Sequence, residues 1–340
     1  MKTPPQKLIF MCHPIKKAVG GVKVIYRQAE LVNQLLQPLG HSAVVLHPNT
    51  WRFKVKWFES SVTVERRWFK WRWMGKPSMS RIDGCFDPQQ DMVVLPELWA
   101  RKYGEQLARM GVPYAIYVQN GYYITKGDAD TLNAAYAGAR CILTISDDAS
   151  RCVAMAFPGT ESRILRVHCS VNGQRFNAHQ PKENLITYMP RKLADHSSKV
   201  LFFLRNHLPA HWRIQAIDGL NEHGVADLLQ RSKIFMSFSH FEGLGLPPLE
   251  AALCGNQVIG YTGQGAKEYW DPQVFTEIES GDVIQFAQAV LDKIQALDSL
   301  AEFPVFTENI RALSATYSPA QELADMQRFV TAMGLPSQPQ

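Results

Sequence analysis

The stretch that decides the fold is residues 237–255, which read SFSHFEGLGLPPLEAALCG. An apolar run of strand length leads into a glycine-containing loop, and the loop leads into Pro247 and Pro248. Gly255 follows the last apolar residues. Prolines at the start of a helix and a glycine just past its end are typical of helix termini. The segment therefore predicts a buried strand, a loop and a short helix, whose free N–H groups suit an anionic or oxygen-rich ligand.

Two carboxylates belong to this segment. Glu242 is predicted in the loop, and Glu250 in the first turn of the helix. Two acceptors at different distances along one pocket suit a ligand that carries several hydroxyl groups. The alternative is purely structural, because the helix dipole also stabilises a glutamate near its N-terminus and the turn alone needs glycine.

Similar apolar runs recur outward from this segment, with helical segments between them. They lack polar alternation, which is typical of parallel strands that helices cover on both faces. A polar stretch over residues 172–183 interrupts the series. At 340 residues the chain is long enough for two domains. We predict α/β domains over residues 1–178 and 179–318, and a terminal helix within 319–340 that crosses back to the first domain. The predicted strands are residues 8–11, 43–46, 92–95, 114–118, 142–145 and 164–167, then 185–189, 200–204, 234–238 and 258–261.

The composition is that of a globular protein, with 46% hydrophobic and 20% charged residues. A formal net charge of +5 gives no reason to expect nucleic acid as a partner. The six cysteines form no C-x-x-C pair, so we expect reduced thiols. The apolar run near the N-terminus is too short for a signal peptide, and no apolar run is long enough to span a bilayer. We therefore expect a cytoplasmic protein.

The run FEGLGLPPLEAAxxG at residues 241–255 resembles the signature of retaining GT-B glycosyltransferases of the glycosyltransferase family 4 type, also called glycosyl transferases group 1. The resemblance implies two Rossmann-like domains facing across a donor cleft. The first would lie on the acceptor side, and the second would bind the nucleotide sugar. It implies that Glu242 contacts the transferred sugar and that Glu250 binds the donor ribose. The loop amides of Gly243, Leu244, Gly245 and Leu246 would hold the sugar hydroxyls.

Two further elements fit the same family. Arg191 and Lys192 follow the first strand of the second domain, where the family places a basic residue on the donor diphosphate. An Arg fork and a Lys point charge are a sensible pair for that leaving group. The family's further lysine is not in its usual place, so Lys192 and Lys199 both stay candidates. Gly20 and Gly21 match the N-domain loop that closes over the diphosphate.

One position departs from the family. Many relatives carry a histidine near the acceptor, whereas this chain has Gln119 and Asn120. These amides can bind a substrate on the acceptor side but cannot act as a base. The resemblance allows this, since the departing phosphate is proposed to take the acceptor proton. The segments that match the family's donor-site motifs contain no Asp-x-Asp, so we predict that neither a metal nor another cofactor is required. The one Asp-x-Asp of the chain, Asp128–Ala129–Asp130, lies outside those segments.

The sequence thus predicts a retaining transferase that moves a sugar from a nucleotide diphosphate sugar, as in polysaccharide biosynthesis. The acceptor would be a glycan, a lipid-linked sugar or a small molecule. Two alternatives stay open. A nucleotide-sugar epimerase of the same fold would need an additional acid/base pair, and a non-catalytic sugar-nucleotide-binding protein would need only the binding site.

Residues 51–76 are the densest aromatic and basic segment of the chain. It could be an acceptor platform, because aromatic faces stack on sugar rings, or a peripheral contact with the inner face of the membrane. The structural alternative is a hairpin or helix whose aromatics are core and whose charges are solvated. The aromatic residues are Trp51, Phe53, Trp57, Phe58, Trp68, Phe69, Trp71 and Trp73, and the basic ones include Lys54, Lys56, Arg66, Arg67, Lys70, Arg72 and Lys76.

Overall fold

The computed structural model describes residues 6–17, 19–51, 53–71, 80–304 and 307–336. The chain forms two compact units. The first comprises Met1–Cys169 and Ala320–Gln340, and the second comprises Ser170–Pro319. The predicted boundary at residue 178 therefore lies inside the second unit, and the terminal segment is part of the first.

The first unit contains a parallel sheet of seven strands in the order β3-β2-β1-β6-β7-β8-β9, and a separate antiparallel pair, β4 and β5. The chain runs from β1 outward to β3 and then returns to the other side of β1. The strand order therefore reverses between β1 and β6. The strands are β1 (Lys7–Met11), β2 (Ser42–Leu46), β3 (Val64–Glu65), β4 (Lys70–Trp71), β5 (Ser80–Arg81), β6 (Asp91–Pro96), β7 (Tyr114–Val118), β8 (Cys141–Thr144) and β9 (Ile164–Arg166).

Helices cover this sheet, and their apolar faces follow the sequence pattern. On the first helix the buried positions include Val22, Ile25, Ala29, Val32 and Leu36, which recur at helical spacing. The central strands are buried along their length, as expected when helices cover both faces. The helices of this unit are α1 (Gly20–Leu36), α2 (Glu97–Arg109), α3 (Ala129–Gly138), α4 (Asp147–Ala156) and the terminal α10 (Pro319–Ala332).

The terminal helix α10 is held in the first unit by buried charges as well as by apolar packing. The Glu322 carboxylate is fully buried and accepts from Arg27 and Gln28 on α1. The Asp325 carboxylate is also fully buried and accepts from the backbone N–H and Nδ1 of His168, both at 2.7 Å. A buried carboxylate is costly without such partners. These contacts therefore fix the position of α10 along the first unit.

The second unit contains a parallel sheet of five strands in the order β11-β10-β12-β13-β14. Its strand order reverses at β10, which lies between the next two strands of the chain. The strands are β10 (Glu183–Tyr188), β11 (Arg213–Ala216), β12 (Ser232–Ser237), β13 (Gln257–Gly260) and β14 (Phe275–Glu277). The helices are α5 (Ala194–Leu204), α6 (Glu222–Arg231), α7 (Leu246–Leu253), α8 (Val283–Asp298) and α9 (Thr307–Thr316).

One predicted strand is wrong. Residues 200–204 belong to α5, and the second strand of this sheet is β11. The buried residues Ser197, Val200 and Leu204 recur every three or four positions, which is helical spacing. A five-residue apolar run cannot separate a strand from the end of a helix by itself. The other nine predicted runs overlap strands of the two sheets.

All six cysteines lie within the described residues; four are buried, two are half-buried, and none of them forms a disulfide. Within the described ranges, no helix combines the length and apolar character that crossing a membrane requires.

Candidate functional site

The predicted donor residues of the second unit lie where its strand order reverses. β12 pairs with β10 and with β13, so the loops that follow these three strands leave the sheet side by side. Loops at the carboxyl ends of parallel strands bind ligands at such a reversal. The fold therefore brings the Arg191–Lys192 loop, the Glu242 loop and residues 261–265 to one edge of the sheet.

A lysine forms an ion pair with the carboxylate that the sequence predicts to bind the sugar. Nζ of Lys192 donates to Oε1 of Glu242. The side chains are 41% and 18% exposed, so both reach solvent. The other candidate, Lys199, pairs with Asp195 one turn earlier on α5. Of the two lysines, Lys192 is therefore the one placed at the carboxylate.

The backbone around Glu242 is constrained. Phe241 has φ of 46° and Gln264 has φ of 74°, a region that residues with side chains rarely adopt. The Glu242 N–H donates to the carbonyl of Gly263 at 2.8 Å. Glu242 and Gln264 also form an isolated parallel bridge. Strained backbone of this kind persists only where its surroundings hold it. The position of Glu242 is thus fixed by the loop that follows β13.

Gly265 makes that fit possible. A Cβ added at Gly265 would lie 2.1 Å from the carbonyl oxygen of Gly243 and 2.7 Å from that of Glu242. Only glycine lets the two backbones approach so closely. The sequence predicted the next strand over residues 258–261 and did not predict this support. The spacing of Gly263 and Gly265 after that strand was its only sequence signal.

The glycine loop and helix α7 form as predicted. Gly245 is the N-cap, with φ of 81°, and Pro247 stands near the helix start. Gly255 lies beyond the helix end with φ of 82°. The hydroxyl of buried Tyr269 donates to the carbonyl of Gly245, and this hydrogen bond holds the glycine loop in place. Gly243, Leu244 and Gly245 are buried, and Leu246 is half-buried.

Glu250 lies one turn later than predicted. It is the fifth residue of α7, in the second turn, because the helix starts at Leu246, one residue before Pro247. Both glutamates nevertheless lie close enough to Tyr269 for their charges to act on its hydroxyl. Burial raises the pKa of Tyr269 well above its ordinary value, and the negative charges of Glu242 and Glu250 add to that effect. The predicted roles of both carboxylates remain to be tested.

Arg191 is exposed in the loop between β10 and α5, two positions before Leu193, the αL N-cap of that helix. His196 stands on the first turn of α5 and hydrogen-bonds with the hydroxyl of Tyr261 at 3.2 Å. The loop thus offers a guanidinium and an ammonium group beside the glycine loop. Such a pair suits a diphosphate group.

The first unit joins two of its predicted elements. Gly20 is exposed at the first position of α1. Gly21 follows it, and its carbonyl accepts from Nε2 of Gln119 at 3.0 Å. A Cβ at Gly21 would come within 2.7 Å of Oε1 of Gln119, so the glycine accommodates that side chain. The predicted contact of Gly20 and Gly21 with the donor diphosphate stays a prediction.

Asn120 has a local structural role. It is 8% exposed, and its Oδ1 accepts from the Tyr122 N–H at 2.9 Å, which caps the turn after β7. Its predicted acceptor role also stays a prediction.

Glu97, which begins α2 directly after β6, was not predicted as a site residue. Burial raises the pKa of Glu97 to about 7, although the backbone N–H groups of Gln119 and Asn120 favour its charged form. A glutamate that follows a strand and a proline was the available signal.

In the part of the chain that the structure describes, no three His, Cys, Asp or Glu side chains are grouped as metal ligands would be. The predicted metal independence is still a prediction, because it concerns the reaction.

Comparisons with known proteins agree with this architecture. The model of the family "Glycosyl transferases group 1" matches residues 198–298, which lie within the second unit. An alpha-1,6-glucosyltransferase of Actinobacillus pleuropneumoniae serotype 7 is 38% identical over 81 residues. That match covers 23% of this chain and 24% of the relative, so it spans about a quarter of the relative's length.

Three solved structures resemble the whole chain. A glycosyltransferase from Rickettsia africae is 13% identical, with a TM-score of 0.68, over 98% of this chain and 100% of that chain. Sucrose-phosphate synthase from Thermosynechococcus elongatus is 13% identical, with a TM-score of 0.64, over 97% and 99%. Anabaena HepE in complex with UDP and glucose is 12% identical, with a TM-score of 0.62, over 96% and 98%. The predicted resemblance is therefore confirmed: the chain has the GT-B fold and carries, within residues 198–298, the sequence pattern of the glycosyl transferases group 1 family.

Proposed function

We propose that this protein is a retaining glycosyltransferase, which transfers a sugar from a nucleotide diphosphate sugar without a metal ion. The observation that carries the proposal is the Lys192–Glu242 pair beside the glycine loop, at the edge of the second sheet where the strand order reverses. A carboxylate and a cation held next to free helix amides can bind a sugar and a diphosphate at the same time.

The pair is compensated in the free protein. Lys192 neutralises Glu242, so neither charge faces the site alone. When a donor binds, the diphosphate would attract Lys192 and Arg191, and the sugar hydroxyls would donate to the released carboxylate of Glu242. The bound donor would thus replace the Lys192–Glu242 ion pair with two contacts, one between the diphosphate and the cations and one between the sugar hydroxyls and Glu242. The strained backbone on either side would keep the carboxylate in place during this exchange.

Charge on the departing diphosphate is the main electrostatic demand of the reaction. The Arg191 guanidinium, the Lys192 ammonium group and the amides at the start of α7 would stabilise it, and a preorganised contact of this kind contributes about 3 kcal/mol to the transition state. Glu242 would orient the sugar rather than attack it. The departing phosphate would accept the acceptor proton, which is consistent with the amides of Gln119 and Asn120 after the strand where many relatives carry a histidine.

The test is release of nucleotide diphosphate from a panel of nucleotide sugars, with candidate acceptors added. UDP-glucose is the first donor to try, because a solved neighbour holds UDP and glucose and the sequence relative is named a glucosyltransferase. A glycan or lipid-linked sugar is the acceptor class we propose. An altered sugar still attached to its nucleotide would identify an epimerase instead. Binding without either product would identify a non-catalytic sugar-nucleotide protein.

Three controls address the mechanism. Glu242→Ala should abolish transfer and retain the fold, since the side chain is only half-buried in a loop. Arg191→Ala should slow transfer by about 100-fold or more. Activity should persist in excess EDTA. Wild-type turnover by the Glu242 variant, a defect in acceptor affinity alone for Arg191, or loss of activity in EDTA that magnesium restores would each contradict the corresponding assignment. Retention of the donor's anomeric configuration in the product, read by NMR, tests the stereochemical part.

A further inference from the structure

The aromatic and basic segment that sequence analysis singled out divides into two layers. Phe69 is 2% exposed and packs edge-on against Tyr103 of α2. Phe58 contacts the ring of Tyr26 on α1, and Phe53 contacts the ring of His47. These inner aromatics belong to the packing of the first unit, as the structural alternative expected. Residues Arg72, Trp73 and Lys76, together with the side chains of Lys70 and Trp71, lie outside what the structure describes.

Two tryptophans of the segment do not belong to that packing. Trp51 is 73% exposed and Trp68 is 58% exposed, and their ring centroids are 6.3 Å apart. The chain segments that carry them lie side by side, because the Asn49 N–H donates to the Arg67 carbonyl at 3.0 Å and the Phe69 N–H donates to Oδ1 of Asn49 at 2.8 Å. The pair is therefore a defined feature of the surface rather than two isolated side chains.

Exposed cations accompany the pair. Lys54, Lys56 and Arg66 are exposed, and Arg66 donates to the Phe53 carbonyl at 3.2 Å, next to the tryptophan segments. The acidic side chains of the segment are Glu59, which is exposed, and Glu65, which is bound by Lys7 and Arg67. Within the described residues of this segment, three exposed cations thus stand against one exposed carboxylate, Glu59.

We propose that this surface, formed by Trp51 and Trp68 with Lys54, Lys56 and Arg66, docks the first unit onto an anionic lipid bilayer. Indole rings favour the interface between water and hydrocarbon, and Lys and Arg near a bilayer are attracted to anionic head groups. The charge decides between a bilayer and a neutral glycan, because cations beside the rings complement phosphate-bearing lipids, whereas a neutral sugar offers them no charge. This inference goes beyond the proposed reaction, and its test requires no turnover.

The experiment measures cosedimentation of the full chain with vesicles of phosphatidylcholine alone and with 30 mol% phosphatidylglycerol, roughly the charge density that attracts polybasic segments. We expect binding to the anionic vesicles only. It should weaken between 0.1 and 1 M salt, as the Debye length falls from about 10 Å to about 3 Å. Each cation changed to glutamine should lower binding about fivefold. Trp51→Ala with Trp68→Ala should lower it at least about tenfold, as expected when large apolar side chains no longer enter the interface.

Phe202→Ala is the matched control. Phe202 is 58% exposed, as Trp68 is, and the Arg205 guanidinium lies 3.4 Å from its ring centroid, but it lies on α5 of the other unit. That variant should bind like wild type. Trp51 is the more exposed of the two tryptophans, so the single variant Trp51→Ser should fold even if the double variant does not. It then serves for the same binding measurement. Equal binding to both vesicle types, wild-type binding by the tryptophan variants, or no binding to either vesicle type would overturn the proposal.

Discussion

Gly265→Ala isolates the backbone fit that positions Glu242. The new Cβ would lie 2.1 Å from the Gly243 carbonyl oxygen and 2.5 Å from its carbon, whereas carbon and oxygen atoms in contact are normally more than 3 Å apart. Both neighbours are backbone, so the Glu242 loop itself must move by about 1 Å to relieve the contact. A displacement of that size at a reacting group can cost about 100-fold in rate. Overpacking of this kind typically costs about 1 to 3 kcal/mol in the free energy of unfolding.

Two assays separate these effects. Initial rates of nucleotide diphosphate release should fall about 100-fold, and urea denaturation should show the smaller loss of stability. The control is Gly224→Ala, the same substitution in α6 of the same unit, where the nearest atom to the new Cβ is 3.4 Å away. That variant should be fully active and more stable by about 0.5 to 1 kcal/mol, since alanine favours the helix. If Gly265→Ala retains wild-type rates, the loop after β13 does not hold Glu242, and the reasoning is refuted.

Three other substitutions test separate parts of the structure. Lys192→Met should slow donor turnover about 100-fold, whereas Lys199→Met should leave it near wild type; equal effects in kinetic assays would disprove the distinction. The raised pKa of Glu97 stabilises the folded state below the ordinary value of 4.5, and this contribution is lost as pH rises through about 7. Glu97→Gln should therefore remove about 2.5 kcal/mol of pH dependence from the unfolding free energy, measured in urea at pH 5 and 8. Glu105→Gln, which is exposed on the same helix, should not. Asp325→Ala should lower the unfolding free energy by about 3 to 5 kcal/mol, and a loss below about 1 kcal/mol would show that the buried carboxylate does not anchor α10.

The sheets were largely predictable because each buried strand is a short, unbroken apolar run. Tyr114–Val118 is a strand over the predicted bounds. Length and periodicity failed at residues 200–204, where a helix end and a strand have the same apolar composition. β3 and β14 were missed because they are two and three residues long and partly exposed at sheet edges.

The candidate site was predictable where it is local in sequence. The loop, the α7 start and Gly255 all follow from residue types at fixed offsets. Contacts between distant segments were not predictable. Nothing local to Gly265 indicates that the Gly243 carbonyl lies against it, and nothing near Glu97 indicates that its carboxylate is buried under residues 119–120. Both depend on which strands become neighbours, and the sheet order decides that.

Stability alone does not explain the Glu242 site. A half-exposed ion pair such as Lys192–Glu242 contributes about 0 to 1 kcal/mol. The positive φ angles of Phe241 and Gln264 cost on the order of 1 to 3 kcal/mol each. The two positive φ angles thus destabilise the fold by more than the ion pair stabilises it. The buried apolar core around Met236 and Ile259 must offset this net cost. A local arrangement that destabilises the fold and still holds a carboxylate, a cation and helix amides together is what the proposed donor site requires, because relaxing Phe241 would stabilise the protein and release Glu242.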